Sequence, residues 1–119
     1  MSRLGLDEEQ TDILLKRKKF LIKNTHINLV MSHLACADNS KSKNNIRQLK
    51  KFKEISKHFP NVKLSLSNSA GILLGKEYNF DLVRPGISLY GGNCSLDKSN
   101  DYGHVITLKA KIIQKRIIN

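Results

Sequence analysis

Three short polar stations interrupt the apolar runs of this 119-residue sequence: Ser32-His33, Asn68-Ser69 and Arg84-Pro85-Gly86. Each directly follows a stretch patterned as a β-strand, and Arg3 stands where one more strand would end. In α/β folds the C-terminal edge of the sheet is where ligands collect. The residue types fit a phosphorylated ligand. Ser69, at the start of a helical turn, can hold a phosphate with its hydroxyl and the turn's backbone N–H groups. It can equally act as an N-cap that satisfies only the chain's own donors. Gly86 and Ile87 can offer two backbone N–H groups to the same anion, since glycine lets a ligand approach closely, or form a plain turn. Arg84 follows an apolar run, so its charge must be paired or face a cleft. His33 is either a hydrogen-bonded structural histidine or an acid–base group. From spacing alone these pairs of readings stay open.

The elements that must position these residues alternate. Asp7 with Gln10 forms the pattern of a capping box and predicts a helix from Asp7 to Phe20, with Ile13, Leu14, Arg17, Phe20 and Leu21 on one side. Ile27–Ser32 is β-prone and predicts a buried strand. Asn45–Phe59 repeats Ile46, Leu49, Phe52, Ile55 and Phe59 at spacings of three and four, a helix with one apolar face that Pro60 stops. Val62–Leu66 alternates as a second strand. Ser69–Leu74 predicts a short helical turn ended by Gly75, and Phe80–Val83 a third strand. Helix and strand in alternation argue for parallel βαβ units. After a Gly-rich polar stretch from Ile87 to Asp101, the residues from His104 to Ile118 alternate in the style of a long antiparallel strand. A domain boundary is therefore expected between Asn93 and Asp101. The opening at Met1 reads like the exit from a strand that is absent, and a lone closing strand has nothing to pair with. Three strands do not close a barrel, so the chain is expected to be part of a larger fold.

Composition narrows the alternatives. With 39% hydrophobic and 26% charged residues the chain reads as globular. No apolar run approaches the roughly 20 residues of a membrane helix, and the acidic, polar Met1–Gln10 does not resemble a signal peptide, so a cytoplasmic location and no membrane partner are expected. The net charge of +11 raises the question of a nucleic-acid partner. The basic residues fall on two helical patterns, Lys16–Lys19 and Lys50, Lys51, Lys53 and Lys57, with no interleaved aromatics for base stacking. Solvated helix faces explain them, and no specific nucleic-acid partner is expected. Cys36 and Cys94 lie too far apart to suggest a disulfide framework. His33, Cys36 and Asp38 have no second cluster to complete a metal site, so Cys36 is expected to be a small buried apolar residue.

Four segments, in order, carry a family resemblance: MSRLG from Met1, SHLACAD from Ser32, SNSAGILLG from Ser67 and FDLVRPGISLYGG from Phe80. Together they resemble the ordered motifs of alanine racemases. The resemblance implies a partial (β/α)8 TIM-type barrel over residues 1–93. Residues 94–119 would form a linker and the first strand of a C-terminal β domain. It implies pyridoxal 5′-phosphate as cofactor, alanine as substrate and a homodimer. Position by position it implies that Arg3 hydrogen-bonds the cofactor's phenolic oxygen and helps hold the substrate carboxylate. His33 would belong to a network that supports the catalytic residues, and Asn68 would line the cofactor floor. Ser69, Gly86 and Ile87 would cradle the phosphate, and Arg84 would face the pyridine nitrogen. Arginine there, always charged and only a donor, leaves that nitrogen unprotonated. The family's cofactor-bearing lysine and opposing tyrosine match no residue here. A remnant or split frame is therefore expected, with no racemase activity in isolation and weak or no cofactor binding. Alternatives are a racemase for another small amino acid, such as serine, and a non-catalytic remnant or basic polyanion-binding protein.

Overall fold

The computed structural model describes residues 4–17, 23, 25–97, 99 and 102–118. Helix α1 (Glu8–Lys16) begins on the expected capping box: Gln10 N–H donates to Asp7 Oδ1 at 2.8 Å, and Asp7 N–H donates to Gln10 Oε1 at 3.1 Å. Two backbone donors that a helix start leaves orphaned are thereby satisfied. Phe20 and Leu21, expected on the apolar side of this helix, lie outside the described residues. No α1 residue is buried, and Ile13 is exposed. The helix is tied to the body by an exposed ion pair, Lys51 Nζ to Glu8 Oε2 at 2.6 Å. The Lys51 ammonium holds the Glu8 carboxyl below the usual carboxylate range.

The body is a βαβ unit. Strand β1 (Leu29–Met31) pairs in parallel with β2 (Lys63–Ser65), with Leu29 opposite Lys63, Val30 opposite Leu64 and Met31 opposite Ser65. Helix α2 (Lys43–Ser56) makes the crossover. Its predicted face is only partly inward: Leu49, Phe52 and the following Phe59 are buried, Ile55 is half-buried, and Ile46 is exposed. Asn45 takes the buried position instead, its Nδ2 donating to Asn39 O at 2.9 Å. The helix ends before Pro60, which supplies no N–H to continue it.

The core gathers Leu34, Ala37, Leu49, Phe52, Leu66, Ala70, Tyr78 and Cys94, with Val30, Leu64, Leu74 and Phe80 packed against it. The rings of Phe52 and Phe80 meet edge to face, centroids 5.0 Å apart. Cys94, not Cys36, is the buried cysteine. Cys36 is half-buried and takes a weak hydrogen bond from Asn44 Nδ2, and neither cysteine forms a disulfide. Helix α3 (Ser69–Ile72) lies against the core through Gly71, where a Cβ would come within 2.7 Å of Leu34 Cδ1.

Three expectations about strands need correction. β1 is not a buried strand: Met31 is 62% exposed, because β1 is paired on one side only among the described residues. Phe80–Val83 forms no strand. Phe80 has φ +49, and Asp81 and Leu82 both donate to Leu64 O, while Leu64 N–H donates to the Asp81 carboxylate at 2.8 Å. A side chain stands in for the ladder, and pairing resumes only at the parallel bridge between Asn68 and Arg84. Finally, residues 102–118 take no regular structure and are exposed throughout. A strand is stable only against a partner, and no described residue supplies one. The radius of gyration, 19.7 Å, accordingly exceeds the roughly 13–14 Å of a compact chain this long.

Candidate functional site

The parallel β1–β2 pair aims both C-terminal ends at one edge, and the Asn68–Arg84 bridge brings a third segment to it. Ser32-His33, Asn68-Ser69 and Arg84-Gly86 therefore share one rim. Arg3, expected at the same rim, lies outside the described residues.

Asn68, not Ser69, is the N-cap of α3. Its Oδ1 accepts from Gly71 N–H at 2.9 Å. That bond orients the amide, so Nδ2 is the group facing His33 Nε2 at 3.3 Å and, more loosely, Leu34 O at 3.5 Å. An amide donor at His33 Nε2 requires that nitrogen to be the acceptor, which puts the proton of a neutral ring on Nδ1. The turn carrying His33 is clamped from α2. Gln48 Nε2 donates to His33 O at 3.0 Å, and Gln48 Oε1 accepts from Ala35 N–H at 2.9 Å. Asn68→Ala removes the cap and the His33 contact together. It is expected to destabilise the chain by about 1–2 kcal/mol, measured by urea denaturation, and to release the His33 ring, read by its nitrogen chemical shifts. An unchanged His33 tautomer would contradict the arrangement.

Arg84 spans the sheet end. Its Nη1 donates to Ser65 Oγ, and its Nη2 donates to Ser32 O at 2.6 Å and Leu66 O at 3.5 Å. Ser65 Oγ passes its own proton to Leu82 O at 2.7 Å. Burial pushes the guanidinium below its ordinary range. The partners named are neutral, so no carboxylate among them cancels the positive charge at the rim.

Ser69 is buried, and its Oγ is the focus of a third group. Gly86 N–H donates to it at 2.7 Å and Ser88 N–H at 3.4 Å, while Ser88 Oγ lies 3.1 Å away. Ile87 opens the 3-10 turn Ile87–Tyr90, where a first N–H has no intrahelical acceptor. A Cβ built on Gly86 would meet only Ser69 Oγ, at 3.9 Å, so the space beside the hydroxyl is open.

His33, Asn68, Ser69, Arg84, Gly86 and Ile87 thus lie along one rim, in three hydrogen-bonded groups with Ile87 beside the last. Sequence reasoning missed Gln48, Ser65 and Ser88. Only Ser88 carried a signal, as a hydroxyl two residues after Gly86. The arrangement is rich in donors and positive charge, which suits an anionic ligand.

A family model described as "Alanine racemase, N-terminal domain" matches residues 1–94. Among curated relatives, the alanine racemase of Rhodospirillum rubrum is 44% identical over 119 residues, all of this chain and 32% of its own. That of Rickettsia bellii is 43% identical over 114 residues, 95% of this chain and 28% of its own. The chain thus spans about three tenths of the length of these relatives. Among solved structures, the alanine racemase of Bartonella henselae with covalently bound pyridoxal phosphate superposes with a TM-score of 0.71 at 43% identity, over 76% of this chain and 26% of that one. The shared α/β fold and the family match over most of the sequence agree, and the chain belongs to the alanine racemase N-terminal domain family.

Proposed function

We propose that this chain supplies the second half of the cofactor-binding barrel of an alanine racemase, a pyridoxal-phosphate enzyme interconverting L- and D-alanine for peptidoglycan synthesis in the bacterial cytoplasm. The observation that carries the reading is the convergence of Asn68, Ser69, Arg84 and Gly86 on one rim beside His33. Residues 1–93 belong to the barrel, and residues 94–119 form the linker and enter a C-terminal β domain, whose first strand forms once its pairing strands are present. The end of the family match at residue 94 supports that division. The complete protein works as a homodimer. Among the described residues no helix is long and apolar enough to cross a membrane.

The residues present fit the group. Ser69 and Ser88 bring two hydroxyls beside a space that a side chain on Gly86 would occupy, and the Gly86 and Ser88 N–H groups that now donate to Ser69 Oγ line the same turn. Arg84 adds uncancelled positive charge. Pyridoxal phosphate, when bound, supplies the electron sink that makes the substrate's α-proton removable. Ser69, Gly86 and Ile87 would hold its phosphate. Arg84 can donate a hydrogen bond toward the ring nitrogen but cannot accept one or give up its proton, so it leaves that nitrogen unprotonated. His33 and Asn68 line the floor, and Arg3 orients the phenolic oxygen and the substrate carboxylate.

Racemisation needs a proton acceptor on one face of the substrate and a donor on the other. None of these 119 residues matches the family's lysine or tyrosine. The purified 119-residue chain, given L-alanine and cofactor, is therefore expected to form no D-alanine above background in an oxidase-coupled assay. Turnover should appear when polypeptides carrying the lysine and tyrosine segments are added. Turnover by the chain alone, or none after both segments are supplied, would contradict the reading.

A further inference from the structure

Gln48 makes two hydrogen bonds that, in a parallel sheet, belong to a neighbouring strand. Its Nε2 donates to His33 O at 3.0 Å, and its Oε1 accepts from Ala35 N–H at 2.9 Å. In a parallel ladder one residue reaches the C=O before and the N–H after the residue opposite, and the residue bracketed here is Leu34. A single orientation of the amide serves both bonds, since its oxygen accepts and its NH2 donates. β1 ends at Met31, and Ser32 N–H adds a bond to Ser65 O at 3.0 Å. A side chain from α2 thus carries the pairing past the end of the strand, from His33 to Ala35. Leu34 is 1% exposed while His33 and Ala35 on either side are exposed, so the chain alternates there. Any rotation of this segment about its axis moves the His33 ring along the rim. The tolerance is narrow. His33 Nε2 stands 3.3 Å from Asn68 Nδ2, and a hydrogen bond is lost near 3.6 Å, so a shift of about 0.3 Å ends the contact. Asn68 is not free to follow, because its Oδ1 is held by Gly71 N–H at 2.9 Å.

We propose that Gln48 is a positioning residue of the site: it touches no ligand and acts through His33, holding the imidazole where Asn68 fixes its tautomer. The proposal rests on the cofactor reading above for what the placed imidazole serves. Two neutral hydrogen bonds from a half-buried side chain favour the clamped turn roughly 10-fold over a released one. A plain structural role, fastening α2 to the turn, would change stability and leave the imidazole as it is.

The test reads the imidazole nitrogens of the isotope-labelled chain by NMR at about pH 8, where an ordinary histidine is neutral. A His33→Gln spectrum assigns the His33 signals among the four histidines. The parent should show one tautomer, with the proton on Nδ1 and Nε2 as acceptor. Gln48→Met keeps the length and helix preference of glutamine but has no donor. It should release the ring, moving both His33 nitrogens to the intermediate positions of a mixed-tautomer imidazole. Gln48→Glu keeps an acceptor for Ala35 N–H but, ionised, has no hydrogen for His33 O, and should shift the signals in the same sense. Leu49→Val, on the same helix, thins the core and leaves the clamp intact, so its His33 signals should match the parent's. With the lysine and tyrosine segments supplied, Gln48→Met should lower kcat for alanine roughly 10-fold and change KM less than about 2-fold, as lost placement rather than lost binding implies. Unchanged His33 nitrogens in Gln48→Met, equal changes in Leu49→Val, a mixed tautomer in the parent or an unaltered kcat would each overturn the proposal. If the parent pieces give no turnover, the cofactor reading fails instead, and the imidazole spectrum still decides the role of Gln48.

Discussion

Replacing Leu66 by alanine is expected to lower the unfolding free energy by about 3–5 kcal/mol and to leave most of the chain unfolded at room temperature. Leu66 is fully buried directly after β2, in a core that counts nine buried hydrophobic residues among those described. α2 reaches this core through Leu49 and Phe52, and α3 through Ala70. Removing the leucyl methyls costs their transfer from water plus the cavity left behind, because neighbours collapse only partly. Collapse is restricted here. Gly71 sits so near Leu34 that a Cβ there would come within 2.7 Å of Leu34 Cδ1, and Ser65 and Ser67 on either side of Leu66 are held by hydrogen bonds, Ser65 Oγ to Leu82 O at 2.7 Å and Ser67 Oγ to Tyr78 O at 2.9 Å. A core this thin gives a stability toward the low end of the usual range, so one such loss is decisive. Urea denaturation followed by far-ultraviolet circular dichroism measures it. Leu66→Met, which conserves volume, should cost under about 1.5 kcal/mol. A loss below about 1 kcal/mol for the alanine variant would show that the site refills and that Leu66 does not organise the core.

The second large effect is expected at Arg84. Its guanidinium joins the end of β1, through Ser32 O, to β2 and its continuation, through Ser65 Oγ and Leu66 O. Arg84→Leu removes every one of these bonds and leaves the acceptors facing an apolar side chain. Hydrogen bonds to a charged group contribute about 1.5–3 kcal/mol each when protected. Arg84 is only half-buried and pays for its partial desolvation, so the expected total is about 2–3 kcal/mol rather than the sum. Arg84→Lys keeps the charge but has one nitrogen where arginine has a planar fork, and it should recover less than half of the loss. Hydrogen exchange at Ser32, whose N–H donates to Ser65 O at 3.0 Å, should rise in both variants, since the β1–β2 register ends there. Unchanged stability and exchange in Arg84→Leu would mean that the guanidinium is merely parked against the strand ends. In that case its charge would serve the ligand alone.

Much of the candidate site was legible because strand ends in α/β units carry it. Placing Ser32-His33, Asn68-Ser69 and Arg84-Pro85-Gly86 after three β-prone runs was enough to put them on one rim, even though the third run, Phe80–Val83, is no strand. A single bridge at Arg84 does the positioning that a full strand was expected to do. Of the two readings open for Ser69, the N-cap one is excluded, because Asn68, one residue earlier, is the cap. Serine and asparagine cap equally well, and only the packing of α3 decides between Asn68 and Ser69. That choice frees the Ser69 hydroxyl for Gly86 and Ser88.

Local physics was determined in advance by residues within four positions of one another. The Asp7–Gln10 capping box, the inward Leu49 and Phe52, and the halt of α2 before Pro60 all belong to that range, and all are present. Contacts between distant segments decided the rest. Asp81 takes the place of a strand only because Leu64 lies opposite, Gln48 becomes a clamp only because α2 packs over the His33 turn, and Ser88 joins Ser69 across 19 residues. The alternating residues 105–118 remain without regular structure for the same reason. A β pattern states which side chains can share a face, but a strand exists only when another backbone is there to take its hydrogen bonds.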